Sequence, residues 1–141
     1  MKIHHVGVFC KNINTFQKYF AKNFNIYSKS KLVSDRKLGI KIKFFQFSGS
    51  NQLFEIVEPL GKINPISKVL KNKTNIINHI AFLTTNFESD IQKLIKKNCY
   101  PLTNILYSKY FNSNIVFLMS PFNFIIELIK NDKNKKIRKK K

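Results

Sequence analysis

Residues 4–24, HHVGVFCKNINTFQKYFAKNF, and residues 78–98, NHIAFLTTNFESDIQKLIKKN, are two versions of one pattern: a strand, an Asn-led turn and an amphipathic helix. A chain of 141 residues that repeats itself at about half its length has room for two similar modules and little else. In the first copy Phe16, Tyr19, Phe20 and Phe24 recur at helical spacing behind Asn12 or Asn14 as N-cap; in the second Ile91, Leu94 and Ile95 do so behind Asn86. Three strand-like stretches follow each helix, at 26–34, 39–48 and 51–58, then at about 101–108, 112–119 and 122–130. Gly39, Ser48-Gly49-Ser50-Asn51 and Ser120-Pro121-Phe122-Asn123 supply turns between them. Each half reads as βαβββ. The expected fold class is α+β, with two such modules giving eight strands in a mixed sheet and a helix on the outside of each. Residues 1–60 form the first module, 61–76 a linker with a short helix begun by Pro65, 77–130 the second module and 131–141 a disordered basic tail.

The rare residue types fall at matching places in the two copies. His5 and His79, two of three histidines, stand early in the first strand of each module. Glu55 in LFEIV and Glu127 in FIIEL stand in the last strand of each. Strand parity puts Leu53, Glu55 and Val57 on one face, and likewise Ile125, Glu127 and Ile129, so each carboxylate projects among aliphatic neighbours. A buried carboxylate without a partner is costly, and a divalent cation shared by two carboxylates and two imidazoles removes that cost. The set His5, Glu55, His79 and Glu127 is therefore expected to bind one ion, and its donors suit Zn, Co, Ni, Mn or Fe rather than Ca or Mg. His4, whose counterpart in the second copy is Asn78, reads as a flank.

Composition bears mainly on partners. The net charge is +19, but KNDKNKKIRKKK at the end carries +7 of it, and only Arg36 and Arg138 are arginines. Readers of phosphates and bases rely on the bidentate Arg fork, and a surplus of Lys, Asn, Ile and Phe is what AT-rich coding produces, so no specific nucleic-acid partner is expected. A general pull on anionic substrates remains. No apolar run approaches the ~20 residues that span a bilayer, and the first residues lack the apolar core of a signal peptide, which points to a cytoplasmic protein with no membrane partner. Cys10 and Cys99 have no metal-type spacing and fit a reducing compartment.

The paired modules, with HHVGVF and NHIAF opening strands and LFEIVEPLG and FNFIIELI closing them, resemble the vicinal oxygen chelate superfamily of glyoxalases, bleomycin resistance proteins, epimerases and dioxygenases over residues 3–130. EPLGKINPISKVL is similar to the linker of methylmalonyl-CoA epimerases and related glyoxalase-like proteins. The resemblance implies two facing half-barrels, one metal ligand from the first and last strand of each module, and a homodimer. His5, Glu55, His79 and Glu127 occupy those ligand places. It implies a metal-dependent isomerase, epimerase or lyase that enolises a small carbonyl or acyl-CoA substrate, most concretely methylmalonyl-CoA. The alternatives are a lactoylglutathione lyase (glyoxalase I)-like enzyme and a non-catalytic small-molecule binding or resistance protein of the same fold. Glu127 resembles the ligand that doubles as base, with Glu55 the other candidate. The sequence departs from the epimerase pattern where a second acid-base carboxylate is expected: Lys37 stands there, beside Asp35 and Arg36. Nor does Arg36, alone before the tail, give the arginine pattern of glyoxalase I. Met119 and Ser120 lie in a hairpin that borders the family's site mouth and read as packing and turn-making residues.

Overall fold

The computed structural model describes residues 1–61, 64–72 and 75–132, so the expected tail lies, past Asp132, outside the described residues. The chain divides into two compact units, His4–Ile80 and a second made of Met1–Ile3 with Ala81 onward.

The first unit contains most of β1 (Lys2–Cys10), then α1 (Ile13–Asn23), β2 (Ile26–Ser28), β3 (Val33–Asp35), β4 (Ile40–Phe47), β5 (Leu53–Pro59), α2 (Pro65–Val69) and the start of β6 (Asn75–Thr84). Its strands lie in the order β2-β4-β5-β1, with β3 also on β4; β1 and β5 are parallel and the other pairs antiparallel. Helix α1 starts at Asn12, whose side chain accepts from the Thr15 N–H at 2.8 Å, while Glu58 Oε2 accepts from the Ile13 N–H at 2.8 Å. Two of the free amides of the first turn are thus satisfied. The helix packs on one face of the sheet, where Val8, Cys10, Ile13, Phe45 and Ile56 form a core with Phe16, Ile26 and Phe54 against it. The opposite face, by the period of two along each strand, carries His5, Gly7, Phe44 and Glu55. At one end of that face α2 contributes Ile66, with Leu70 just after it, to a cluster with Val57.

The second unit contains the end of β6, then α3 (Phe87–Lys96), β7 (Tyr100–Pro101), β8 (Leu106–Ser108), β9 (Ser113–Met119) and β10 (Ile125–Lys130). Strands β10-β9-β7 are neighbours in that order and β8 also pairs with β9, all antiparallel. Phe87 and Ile91 of α3 join Cys99, Val116, Leu118, Ile126 and Leu128 in its core. The helix ends through Asn98, which takes φ 66° while the Asn98 and Cys99 amides donate to the Ile95 and Leu94 carbonyls. Ser120 makes the β9–β10 turn, its hydroxyl accepting from the Phe122 and Phe124 amides at 3.3 and 3.2 Å.

Eight strands were expected and ten are found among the described residues, because the strand after the helix is broken in both units. The break has one cause, repeated. In the first unit the Lys29 N–H donates to the Phe44 carbonyl at 2.8 Å, and the Phe44 N–H then donates to the Ser30 hydroxyl at 3.0 Å. In the second the Leu102 N–H donates to the Phe117 carbonyl at 2.9 Å, and the Phe117 N–H donates to the Thr103 hydroxyl at 3.2 Å. A side-chain oxygen takes the place of the next backbone acceptor, and the ladder stops. Thr103→Val keeps the shape and removes that acceptor, so it is expected to cost about 1–2 kcal/mol. A urea titration checks this; an unchanged midpoint would mean that the hydroxyl does not maintain the break. Among the described residues no helix is long and apolar enough to cross a membrane.

Candidate metal centre

Parallel pairing sets Gly7 opposite Glu55 and His5 opposite Leu53, and Phe44 lies opposite Glu55 on its other side. The same register that gives α1 its core therefore turns His5 and Glu55 to one face. His79, from β6, lays its ring across Gly7, where a Cβ would lie 2.0–2.4 Å from three atoms of the imidazole. Only glycine leaves that space; the reason is close approach.

His5 Nε2 lies 3.1 Å from His79 Nε2 and 3.2 Å from Glu55 Oε2, and His79 Nε2 lies 3.3 Å from the same oxygen. The three residues are 0, 2 and 5% exposed for His5, His79 and Glu55. Atoms each ~2.0–2.1 Å from a shared ion lie ~2.9 Å apart at right angles and ~3.4 Å apart at tetrahedral angles. The observed separations fall inside that interval, so two imidazoles and a carboxylate fit a divalent ion of the zinc and first-row type. Burial alone would push the Glu55 carboxyl up, but hydrogen bonding and charge interaction with His5 and His79 overcome it and hold the group at about 2.

The far side of each imidazole is also held. His5 Nδ1 lies 2.8 Å from His4 Nδ1, and His79 Nδ1 lies 3.0 Å from Asn78 Oδ1. Phe44 meets His5 edge-on with ring centroids 5.2 Å apart, and Phe9 meets His79 at 6.3 Å. His4 is thus more than a flank. Residue type alone marks none of His4, Gly7 and Asn78 as functional, yet the repeat carries a signal. Both copies place a small residue two positions after the histidine (Gly7, Ala81) and a hydrogen-bonding side chain immediately before it (His4, Asn78).

Of the four residues expected to converge, His5, Glu55 and His79 come together within the first unit. Glu127 is 2% exposed on β10, opposite Phe117 as Glu55 is opposite Phe44. It belongs to the second unit, at the place in the repeat that Glu55 holds in the first. Asp35, the carboxylate nearest to Lys37, is buried, and its Oδ1 accepts from the Lys37 and Leu38 amides at 3.0 and 3.1 Å, which gives it the work of shaping the turn before Gly39.

Comparison with known proteins agrees with this architecture. No curated protein matches the chain. Methylmalonyl-CoA epimerase from Mycobacterium tuberculosis has TM-score 0.76 at 17% identity, covering 92% of this chain and 87% of its own. A hypothetical protein from Bacillus halodurans C-125 has TM-score 0.81 at 19% identity, covering 96 and 97%. A variant of the Streptomyces coelicolor epimerase in complex with 2-nitronate-propionyl-CoA has TM-score 0.73 at 18% identity, covering 94 and 98%. At such identities these structures establish the fold. The family model of the Glyoxalase/Bleomycin resistance protein/Dioxygenase superfamily matches residues 4–104, the stretch that holds His5, Glu55 and His79, and the chain belongs to that superfamily.

Proposed function

We propose that the protein is a divalent-metal-dependent enzyme that moves a proton next to a carbonyl, most concretely in a 2-acyl-CoA such as methylmalonyl-CoA, with His5, Glu55, His79 and Glu127 holding the ion. The buried cluster of two ring nitrogens and one carboxylate oxygen, 3.1–3.3 Å apart, carries this reading. The likeness to epimerase structures, one of them in complex with 2-nitronate-propionyl-CoA, supports the substrate class. The ion, when bound, supplies the positive charge that stabilises an enolate.

The protein's own groups divide the remaining work. Glu55, whose Oε2 lies 3.2 and 3.3 Å from the Nε2 atoms of His5 and His79, acts as ligand, and Glu127, at the matching place in the second copy, as the group that takes the proton. His5 and His79 bind without moving protons. The Phe44 and Phe9 rings against them keep water from the imidazoles. Inversion at carbon needs a second proton donor on the opposite face, and Asp35 is engaged in its turn. That observation favours a second reading, a one-base isomerisation of the lactoylglutathione lyase type.

Protein purified without chelator, then reloaded with Co, Ni or Zn, is expected to hold about one ion per chain. Proton NMR in deuterium oxide should then show metal-dependent loss of the α-proton of methylmalonyl-CoA or of a hemithioacetal. No bound ion in any preparation would overturn the metal reading; a bound ion without exchange on either substrate would favour a binding protein.

A further inference from the structure

We propose that His4 and Asn78 are positioning residues that fix the tautomers of His5 and His79, so that both ligand imidazoles carry their hydrogen on Nδ1 and present a lone pair at Nε2. The inference rests on the metal reading above and concerns how this chain prepares its ligands.

A neutral imidazole has one N–H, and whichever nitrogen holds it cannot bind a metal. His79 Nδ1 faces Asn78 Oδ1 at 3.0 Å, and an amide oxygen only accepts, so a hydrogen belongs on Nδ1, and an ion that displaces the proton shared between Nε2 and Glu55 finds the lone pair on Nε2. His5 Nδ1 faces His4 Nδ1 at 2.8 Å. One of these two nitrogens donates. The Nε2 of His5 is the atom that lies beside Glu55 and His79, so the ligand arrangement requires His5 Nδ1–H to donate and His4 Nδ1 to accept. His4 is then the Nε2–H tautomer.

The repeat gives the argument its control. His4 and Asn78 occupy equivalent positions, each directly before a ligand histidine. They are chemically unlike, one an imidazole and one an amide. What they share is an acceptor able to reach Nδ1 of the next residue along a strand. Asparagine reaches that nitrogen in β6, so it should do so in β1 as well. Partners of this kind orient the ring and raise its basicity, and their loss weakens metal affinity by roughly 10–100-fold.

The test compares wild type with His4→Ala, His4→Asn and Asn78→Ala. Affinity for Zn²⁺ and Co²⁺ is measured by competition with a chromophoric chelator, and the visible bands of the Co²⁺ protein report ligand geometry. His4→Ala and Asn78→Ala are expected to bind roughly 10–100-fold more weakly with altered bands, whereas His4→Asn should stay within about threefold of wild type. A second readout needs no metal: two-bond ¹H–¹⁵N correlation spectra of ¹⁵N-histidine protein, freed of ions, should show a hydrogen on Nδ1 of His79 in wild type, whether or not Nε2 also carries one toward Glu55, and lose it in Asn78→Ala. Wild-type affinity in His4→Ala, or an equal loss in His4→Asn and His4→Ala, overturns the inference. If wild type itself binds no ion, the metal reading fails, and the tautomer spectra still decide whether Asn78 fixes His79.

Discussion

His79→Ala is expected to abolish stoichiometric binding of zinc or cobalt while leaving the His4–Ile80 unit folded. The substitution removes one of three donor atoms that lie 3.1–3.3 Å apart, and the loss should exceed the roughly 100-fold associated with an outer partner. Folding should survive because the main core of this unit, Val8, Cys10, Ile13, Phe45 and Ile56, lies on the other face of the sheet, against α1. Wild type in zinc at about 1,000 times the dissociation constant gains about 4 kcal/mol by mass action, and His79→Ala should gain nothing. Melting each protein with zinc and with excess chelator measures this directly. Wild type that unfolds outright in chelator would show instead that the ion is structural, and a full zinc shift in His79→Ala would remove His79 from the ligand set.

Much of this centre was legible because a period of two is strict. Once LFEIV was read as a strand, Glu55 had to share a face with Leu53 and Val57, and the observed register against β1 then places His5 beside it. The repeat supplied what parity could not, the matching of His5 with His79. The sequence was silent where a side chain replaces backbone. Ser30 and Thr103 are ordinary polar residues in strand-like runs, and nothing in composition says that their hydroxyls will capture the Phe44 and Phe117 amides and end a strand. Asp35 was similar: a carboxylate one or two positions from the family's acid-base place, whose engagement by two turn amides appears only in three dimensions. His4 reads as a flank in the sequence because its counterpart is a different residue type, although the property they share is an acceptor atom rather than a histidine. Gly7 is silent for a simpler reason. A glycine in a strand declares only that something comes close, and the approaching group, His79, comes from more than 70 residues away.

That close approach yields the most discriminating stability experiment. A methyl group at position 7 would lie 2.0–2.4 Å from three atoms of the His79 ring, and the ring has little freedom to withdraw, being 2% exposed and held by Asn78 at Nδ1 and by Glu55 at Nε2. Gly7→Ala should therefore expel the imidazole, cost about 1–3 kcal/mol as overpacking, and eliminate metal binding. The same change in a protein already carrying His79→Ala meets no ring. There the added Cβ lowers the entropy of the unfolded chain, and the substitution should be neutral or stabilising by up to about 1 kcal/mol. The four proteins form a double-mutant cycle with an expected coupling of about 2 kcal/mol or more. Urea titrations in excess chelator give all four stabilities with the metal excluded, so the outcome does not depend on whether an ion binds. Additive costs would show that His79 does not lie across Gly7, and the placement of the second imidazole would fall with it.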